Sequence, residues 1–127
     1  MIKTAFRILL ALFFVGAGVN HFARTPFYLR MMPPYVPFHL AMVQLSGVAE
    51  ITLGLLVLVP ATIVGAAWGL IVLLIVVFPA NVQMALHPET FPEFSPRALW
   101  FRLPLQGVMI AWAWWYTTGN RPDRHDR

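Results

Sequence analysis

Residues 38–86 read FHLAMVQLSGVAEITLGLLVLVPATIVGAAWGLIVLLIVVFPANVQMAL, and along this whole run the one charged residue is Glu50. A helix needs about 20 mostly apolar residues to cross a bilayer. The run therefore holds two crossings, broken near Val59-Pro60-Ala61-Thr62. Two further charge-free stretches flank it, from Arg7 to Arg24 and from Arg102 to Arg121, and each is long enough for one crossing. Backbone groups that face lipid must bond within their own segment, so the crossings are helices and not strands. The expected fold is all-α: a four-transmembrane-helix up-down bundle in one domain over residues 1–118. Its helices are expected at 3–22, 38–59, 61–86 and 96–118, with a polar C-terminal tail at 119–127.

Composition agrees with that reading. The chain has 127 residues, 59% of them hydrophobic and 11% charged, with a mean hydropathy of +0.70. A soluble domain carries about a quarter charged residues, which excludes an ordinary soluble enzyme and a disordered tail alike. The net charge is +4, but the nine basic residues are spread thinly and form no patch able to track a phosphate backbone, so nucleic acid is not an expected partner. Cysteine is absent, which removes disulfides, thiolate metal sites and thiol redox chemistry.

Local signals mark the ends of the helices. Ser95-Pro96 is an N-cap followed by proline in the first turn, while Gly119 and Pro122 close the last helix. Residues 23–37 mix Pro26, Pro33, Pro34 and Pro37 with Tyr28, Tyr35, Arg24 and Arg30, which suits a non-helical connector anchored in the headgroup layer. Residues 87–94 read as a second connector of that kind. Lys3 and Arg7, the apolar run 8–15 and Gly16-Ala17-Gly18 also resemble a cleavable secretory signal, a reading weaker than a retained first helix. Four helices put both termini on one side with Lys3, Arg7, Arg121, Arg124 and Arg127, against Arg24, Arg30, Arg97 and Arg102 on the other. That slim excess orients the termini toward the cytoplasm.

The polar residues within the spans are not scattered. Asn20 and His21 end the first helix; Gln44, Ser46 and Glu50 lie in the first half of the second. Asn81 and Gln83 lie near the end of the third, and Arg102 and Gln106 in the first half of the fourth. In an up-down bundle all of these fall in the leaflet away from the termini. With a rise of 1.5 Å per residue, Glu50 sits roughly 16–18 Å below the start of its helix, near the bilayer middle, and Arg102 about 9 Å below the start of its own. Arg102 is therefore within side-chain reach of Glu50 if the helix faces agree. An unpaired carboxylate at that depth costs several kcal/mol, so Glu50 must be paired, solvated by a cavity or protonated. It is either interhelical glue, bonded to Gln106 or Ser46, or a ligand or proton site at the floor of a pocket.

Other features refine the bundle. Pro79 and Pro104 lie inside predicted helices and free the carbonyls of Ile75 and Trp100. Ala61, Gly65 and Gly69, then Ser46, Glu50 and Gly54, and also Gly107 with Ala111, form stripes that allow close helix approach. Trp112, Trp114, Trp115 and Tyr116 read as an aromatic belt beside the termini. No phosphate loop, nucleophile elbow or paired-histidine motif is present, and the histidines lack metal spacing, so no catalytic residue and no metal is assigned.

Five blocks carry a resemblance: Gly18-Val19-Asn20-His21-Phe22, Met32-Pro33-Pro34-Tyr35, Ser46-Gly47-Val48-Ala49-Glu50-Ile51, Phe78-Pro79-Ala80-Asn81 and Arg102-Leu103-Pro104-Leu105-Gln106. In this order they resemble the DoxX-like family of small bacterial integral membrane proteins, over about residues 5–115. The resemblance implies a four-helix protein of the bacterial inner membrane, an accessory subunit of a redox or stress-response complex with a membrane or periplasmic redox partner. Its motif residues include Asn20, His21, Glu50, Asn81, Arg102 and Gln106, and with Ser46 these make the candidate pocket. A quinone or similar small amphipathic molecule is the expected ligand, and the bilayer the first partner; self-association into a homo-oligomer stays open. The alternatives are a scaffold or assembly chaperone without a ligand, and then a small-solute transporter, for which duplicated halves are missing.

Overall fold

The computed structural model describes residues 2–117, which are all-helical with no strand among them. Five α-helices follow one another: α1 (Ile2–Ala23), α2 (Thr25–Met31), α3 (His39–Leu56), α4 (Ile63–Leu86) and α5 (Pro96–Trp114). Short 3-10 turns stand at Pro60–Thr62 and Pro88–Thr90. Three segments are long and apolar enough to cross a membrane: Ile2–Ala23, His39–Leu56 and Pro60–Leu86. α5 is not among them, since Arg97, Arg102 and Gln106 dilute its 19 residues.

The expected boundaries change in four places. The second predicted helix ends at Leu56, three residues before the expected Val59, and the third starts at Ile63 behind a 3-10 turn at Pro60. The fourth ends at Trp114, and its turn continues to Thr117; the expected closure at Gly119 and Pro122 and the tail at 119–127 lie outside the described residues. The largest correction is α2. Residues 23–37 were expected to be free of helix, yet Thr25–Met31 forms two turns with Pro26 in the first. Proline is harmless there because a first-turn N–H has no intrahelical acceptor. Thr25 Oγ1 donates to the His21 carbonyl at 2.8 Å, so the break between α1 and α2 satisfies part of its own backbone. Before α3, Phe38 takes the left-handed φ of 54° and turns the chain back.

α1 packs along α3, α3 meets α4, and α4 packs along α5. The α1–α3 contact is the closest. A Cβ added at Gly18 would lie 2.6 Å from the Gly47 carbonyl oxygen, and one added at Gly54 would lie 3.2 Å from the Ala11 carbonyl oxygen. Without side chains at these positions the two backbones approach until dispersion contacts are made along both, which is the attraction available between helices in lipid. The expected small-residue stripes thus hold at Gly54 and at Gly69, which meets Leu53, whereas Gly65 and Gly107 face open space. The tightest contact, Gly18 on Gly47, lay outside those stripes.

The half near the termini is densely filled. Leu10, Ala11, Phe14, Val57, Ala67, Leu70, Ala113 and Tyr116 are buried in one cluster drawn from α1, α4, α5 and their turns. Tyr116 departs from the expected aromatic belt: it is fully buried, and its hydroxyl donates to the Lys3 carbonyl at 2.8 Å. Trp114 and Trp115 are exposed as a belt requires. Phe6 meets Trp112 edge-on at 6.2 Å, which closes α1 against α5 at this end. Outward, all the long helices present apolar side chains, among them Leu12, Leu45, Val72, Val76 and Phe101. Such a surface is stable against acyl chains and not against water.

Candidate functional site

At the other end the helices enclose a cavity of about 730 Å³. All seven candidate residues line it: Asn20 and His21 from α1, Ser46 and Glu50 from α3, Asn81 from α4, Arg102 and Gln106 from α5. Gln44 is exposed, and Gln83 is half-buried away from the cavity wall. The remaining lining is mostly apolar, with Phe14, Leu74, Val77 and Met109 among it.

The polar side chains divide into two groups on opposite walls. On the α1–α3 wall, His21 is buried, and its Nδ1 lies 3.0 Å from the Val43 carbonyl oxygen. A carbonyl only accepts, so Nδ1 carries hydrogen. Nε2 then faces Glu50 Oε2 at 3.3 Å, an ion-pair distance without hydrogen-bond alignment. Facing lone pairs on both atoms would repel, which favours one added proton on the pair, on the ring or on the carboxyl. Either way the His21–Glu50 pair is neutral overall. Gly47 makes the pair sterically feasible, because a Cβ there would lie 2.9 Å from the His21 Cβ.

Tyr28 of α2 completes this wall. Its ring stacks on His21 with centroids 4.0 Å apart, and its hydroxyl accepts from Asn20 Nδ2 at 2.8 Å. Burial pushes its phenol up from the ordinary value, so the hydroxyl remains a donor at neutral pH. Sequence reasoning placed Tyr28 at the membrane interface and missed it as a site residue. The available signal was Thr25-Pro26, a hydroxyl-then-proline pair like Ser95-Pro96, although Thr25 lies inside α2 and donates back to α1 where Ser95 caps α5; once α2 is a helix, Tyr28 folds back over the end of α1.

On the α4–α5 wall the bonds run in series. Arg102 Nε donates to Asn81 Oδ1 at 3.3 Å, Asn81 Nδ2 donates to Gln106 Oε1, and Gln106 Nε2 donates to the Leu74 carbonyl. That carbonyl lies one residue before Ile75, whose oxygen Pro79 was expected to free. Two expectations for Glu50 fail here. Arg102 is not within ion-pair distance of it, and neither Gln106 nor Ser46 bonds to it; Glu50 is paired with His21 instead. The physical reason is the close α1–α3 approach at Gly18 and Gly47, which brings His21 to Glu50 before α5 can reach it.

A family model described as a domain of unknown function, DUF8561, matches residues 10–117. The chain belongs to this family. The DUF8561 match begins at Leu10 in the packed half of α1 and runs through every cavity residue to the turn after α5. No curated protein and no solved structure matches the chain.

Above the cavity, on the side away from the termini, lies a second hollow of about 570 Å³, bordered by Arg24, Arg30, Arg102 and Glu93. Asn20, Tyr28 and Arg102 line both spaces and form the boundary between them. Arg30 is bound to Glu93 Oε1 at 2.6 Å and to the Thr90 carbonyl at 2.8 Å, which ties α2 to the connector before α5. Among the described residues Arg24 and Arg102 have no acidic partner, and no group of three His, Cys, Asp or Glu side chains is placed to hold a metal.

Proposed function

We propose that the chain is a multi-pass protein of the bacterial inner membrane, a four-helix up-down bundle whose cavity holds a small amphipathic ligand. α5 is its fourth span: it packs along α4 while Trp100, Phe101, Leu105 and Val108 face outward as lipid-exposed apolar groups. The termini lie on the cytoplasmic side. The resemblance to DoxX-like proteins supports a role as accessory subunit of a redox or stress-response complex, with a quinone as the first ligand to test.

One observation carries this reading: seven polar residues from four helices converge on a single cavity with apolar walls. A cavity of this size, with few polar groups fixed in mostly apolar walls, is the usual form of a site for a small amphipathic molecule, whose volume runs from about 300 to 1,000 Å³. Buried ionisable groups in a bilayer are expensive and are generally kept for a task. Here Asn20, Tyr28 and Arg102 offer donors to a carbonyl, and the His21–Glu50 pair holds a proton that can be exchanged with a bound group.

A scaffold role without ligand has its own support in the Arg102–Asn81–Gln106–Leu74 series, which binds α5 to α4 whether or not the cavity is filled. Purification in mild detergent, followed by organic extraction and ultraviolet spectroscopy, separates the two. Co-purifying quinone, or saturable binding of an added quinone analogue that Glu50→Gln weakens, supports the ligand reading. An empty extract with no analogue binding sinks it. Glu50→Gln and Arg102→Ala that lose stability and complementation in proportion favour the scaffold.

A further inference from the structure

The charges around the cavity do not balance, and the excess is positive. The His21–Glu50 pair is internally neutral. Arg30 is matched by Glu93. Arg102, partly buried, and Arg24 are left as cations on the border of the upper hollow, without an acidic partner among the described residues. A guanidinium in apolar surroundings demands an anion, by Coulomb attraction in low dielectric and by its fixed fork of donors.

The shape below is equally specific. α1 pairs with α3 and α5 with α4, but α1 and α5 do not run in close contact along their length. They are joined at the terminal end by Phe6 and Trp112. Higher up, Leu12, Phe13 and Gly16 on one side and Leu105 and Met109 on the other line the cavity, and Leu12, Phe13, Gly16 and Leu105 are also exposed on the outer surface. The cavity is therefore open sideways to lipid, through a slot whose edges are apolar. The slot lies on the α1–α5 side and the Glu50 carboxyl on the α3 side, so an apolar tail in the slot does not have to cover the carboxyl.

We propose that this cavity is a seat for a single-tailed anionic amphiphile, a long-chain carboxylate or phosphate monoester. It enters from the bilayer between α1 and α5 with its head held by Arg102 at the boundary of the two hollows and by Arg24 on the border of the upper one. The proposal rests on the ligand-binding reading above and narrows it to a head of negative charge and a linear tail. Asn20 Nδ2 and the Tyr28 hydroxyl stand at that boundary, where they orient the oxygens of the head. The tail displaces no water on entry, since it moves from acyl chains to an apolar slot; selectivity then falls almost wholly on the head.

The test uses the full chain in nanodiscs of neutral phospholipid, with dodecanoate, dodecyl phosphate, dodecanol and a short-tailed quinone analogue as probes, read by native mass spectrometry. At least one anionic probe is expected to bind about tenfold or more tighter than dodecanol, the size of one hydrogen-bonded charge contact. Which of the two anionic probes is retained identifies the head. Arg102→Gln is expected to erase the preference for the acids over dodecanol. Gly16→Leu fills the slot and is expected to lower binding of every tailed probe, and Gly107→Leu is not. Both glycines have open space around the added Cβ, and Gly107 does not line the cavity, so the pair tests the route without disturbing the fold. Equal binding of acid and alcohol overturns the anionic head, as does a preference that survives Arg102→Gln. Tight binding of the quinone analogue with none of either acid overturns this proposal and leaves the proposed function standing. No binding of any probe overturns both.

Discussion

The two ends of the molecule solve the same packing problem in opposite ways. Near the termini, Leu10, Phe14, Leu70 and Tyr116 are entirely buried and α1 is closed against α5. At the far end the same helices stand around a cavity of about 730 Å³, and His21, Glu50 and Gln106 occupy buried positions that an apolar core would fill. Lipid is as apolar as leucine, so neither end gains much by hiding apolar surface from it. What separates the ends is side-chain volume and direction. Small residues let α1 sink onto α3, and dispersion contacts follow. Polar groups that bond in pairs across a wall hold their helices at fixed spacing and leave the space between the walls unfilled. One half is filled by side chains, and the other stands open between two polar walls.

The largest expected effect is on the contact that links the two halves. Gly18→Leu places a side chain where even a Cβ would meet the Gly47 carbonyl oxygen at 2.6 Å and Ile51 at the same distance. The neighbour is backbone and cannot rotate away, so the helices must separate; overpacking of this kind commonly costs about 1–3 kcal/mol and more where backbone must move. The variant is expected to lose the folded state, seen as aggregation on size exclusion in detergent. A monodisperse Gly18→Leu with unchanged melting would mean that the α1–α3 approach is not the spine of the bundle.

The second expectation sets one end directly against the other. Leu70→Ala leaves a cavity in the buried cluster of the filled end and is expected to destabilise by about 2–5 kcal/mol, as large-to-small changes in packed cores do. Gln106→Leu in the open end removes two interhelical hydrogen bonds, to Asn81 and to the Leu74 carbonyl. Such bonds average roughly 0.6 kcal/mol within a bilayer and reach about 1.7. Unfolding in mixed micelles, with the fraction folded followed by circular dichroism, measures both. The comparison breaks if Gln106→Leu proves the more damaging of the two.

How far the sequence reveals this molecule follows the same division. The long helices are legible because the absence of charge is a property of whole segments, and a segment keeps it whatever its neighbours do. The convergence of Asn20, His21, Ser46, Glu50, Asn81, Arg102 and Gln106 is legible too: the expected up-down order puts each at one end, and all seven line the cavity. Pairing is not legible. Depth along an axis puts Glu50 within side-chain reach of Arg102, and it is silent on rotation about the axis. Rotation of α1 on α3 is set by Gly18 against Gly47, so Glu50 meets His21, while Arg102 meets Asn81 on the opposite wall. α2 was hidden by its prolines, which mark a break when counted and a helix start when Pro26 is placed in the first turn.

The smallest effect concerns the clasp that holds α2 over the open end. Arg30 bonds Glu93, and that hydrogen bond, helped by one from the backbone N–H of Glu93 itself, holds the exposed Glu93 carboxyl below its ordinary value of 4.5. A carboxyl whose folded value is depressed contributes its stabilisation in full above the unfolded value, and the contribution fades as pH falls through the lower folded one. The clasp is therefore expected to be indifferent to pH above about 5 and to weaken below it. The weakening is partial. Arg30 also donates to the Thr90 carbonyl and lies 5.1 Å from the centre of the Phe91 ring, and neither contact titrates. Hydrogen exchange of residues 88–94, corrected for its intrinsic pH dependence, is expected to show a modest loss of protection in acid that Glu93→Gln abolishes. An equal loss in Glu93→Gln would place the acid sensitivity elsewhere. It would also mean that the two arginine contacts that survive acid, and not the ion pair, keep α2 seated above the cavity.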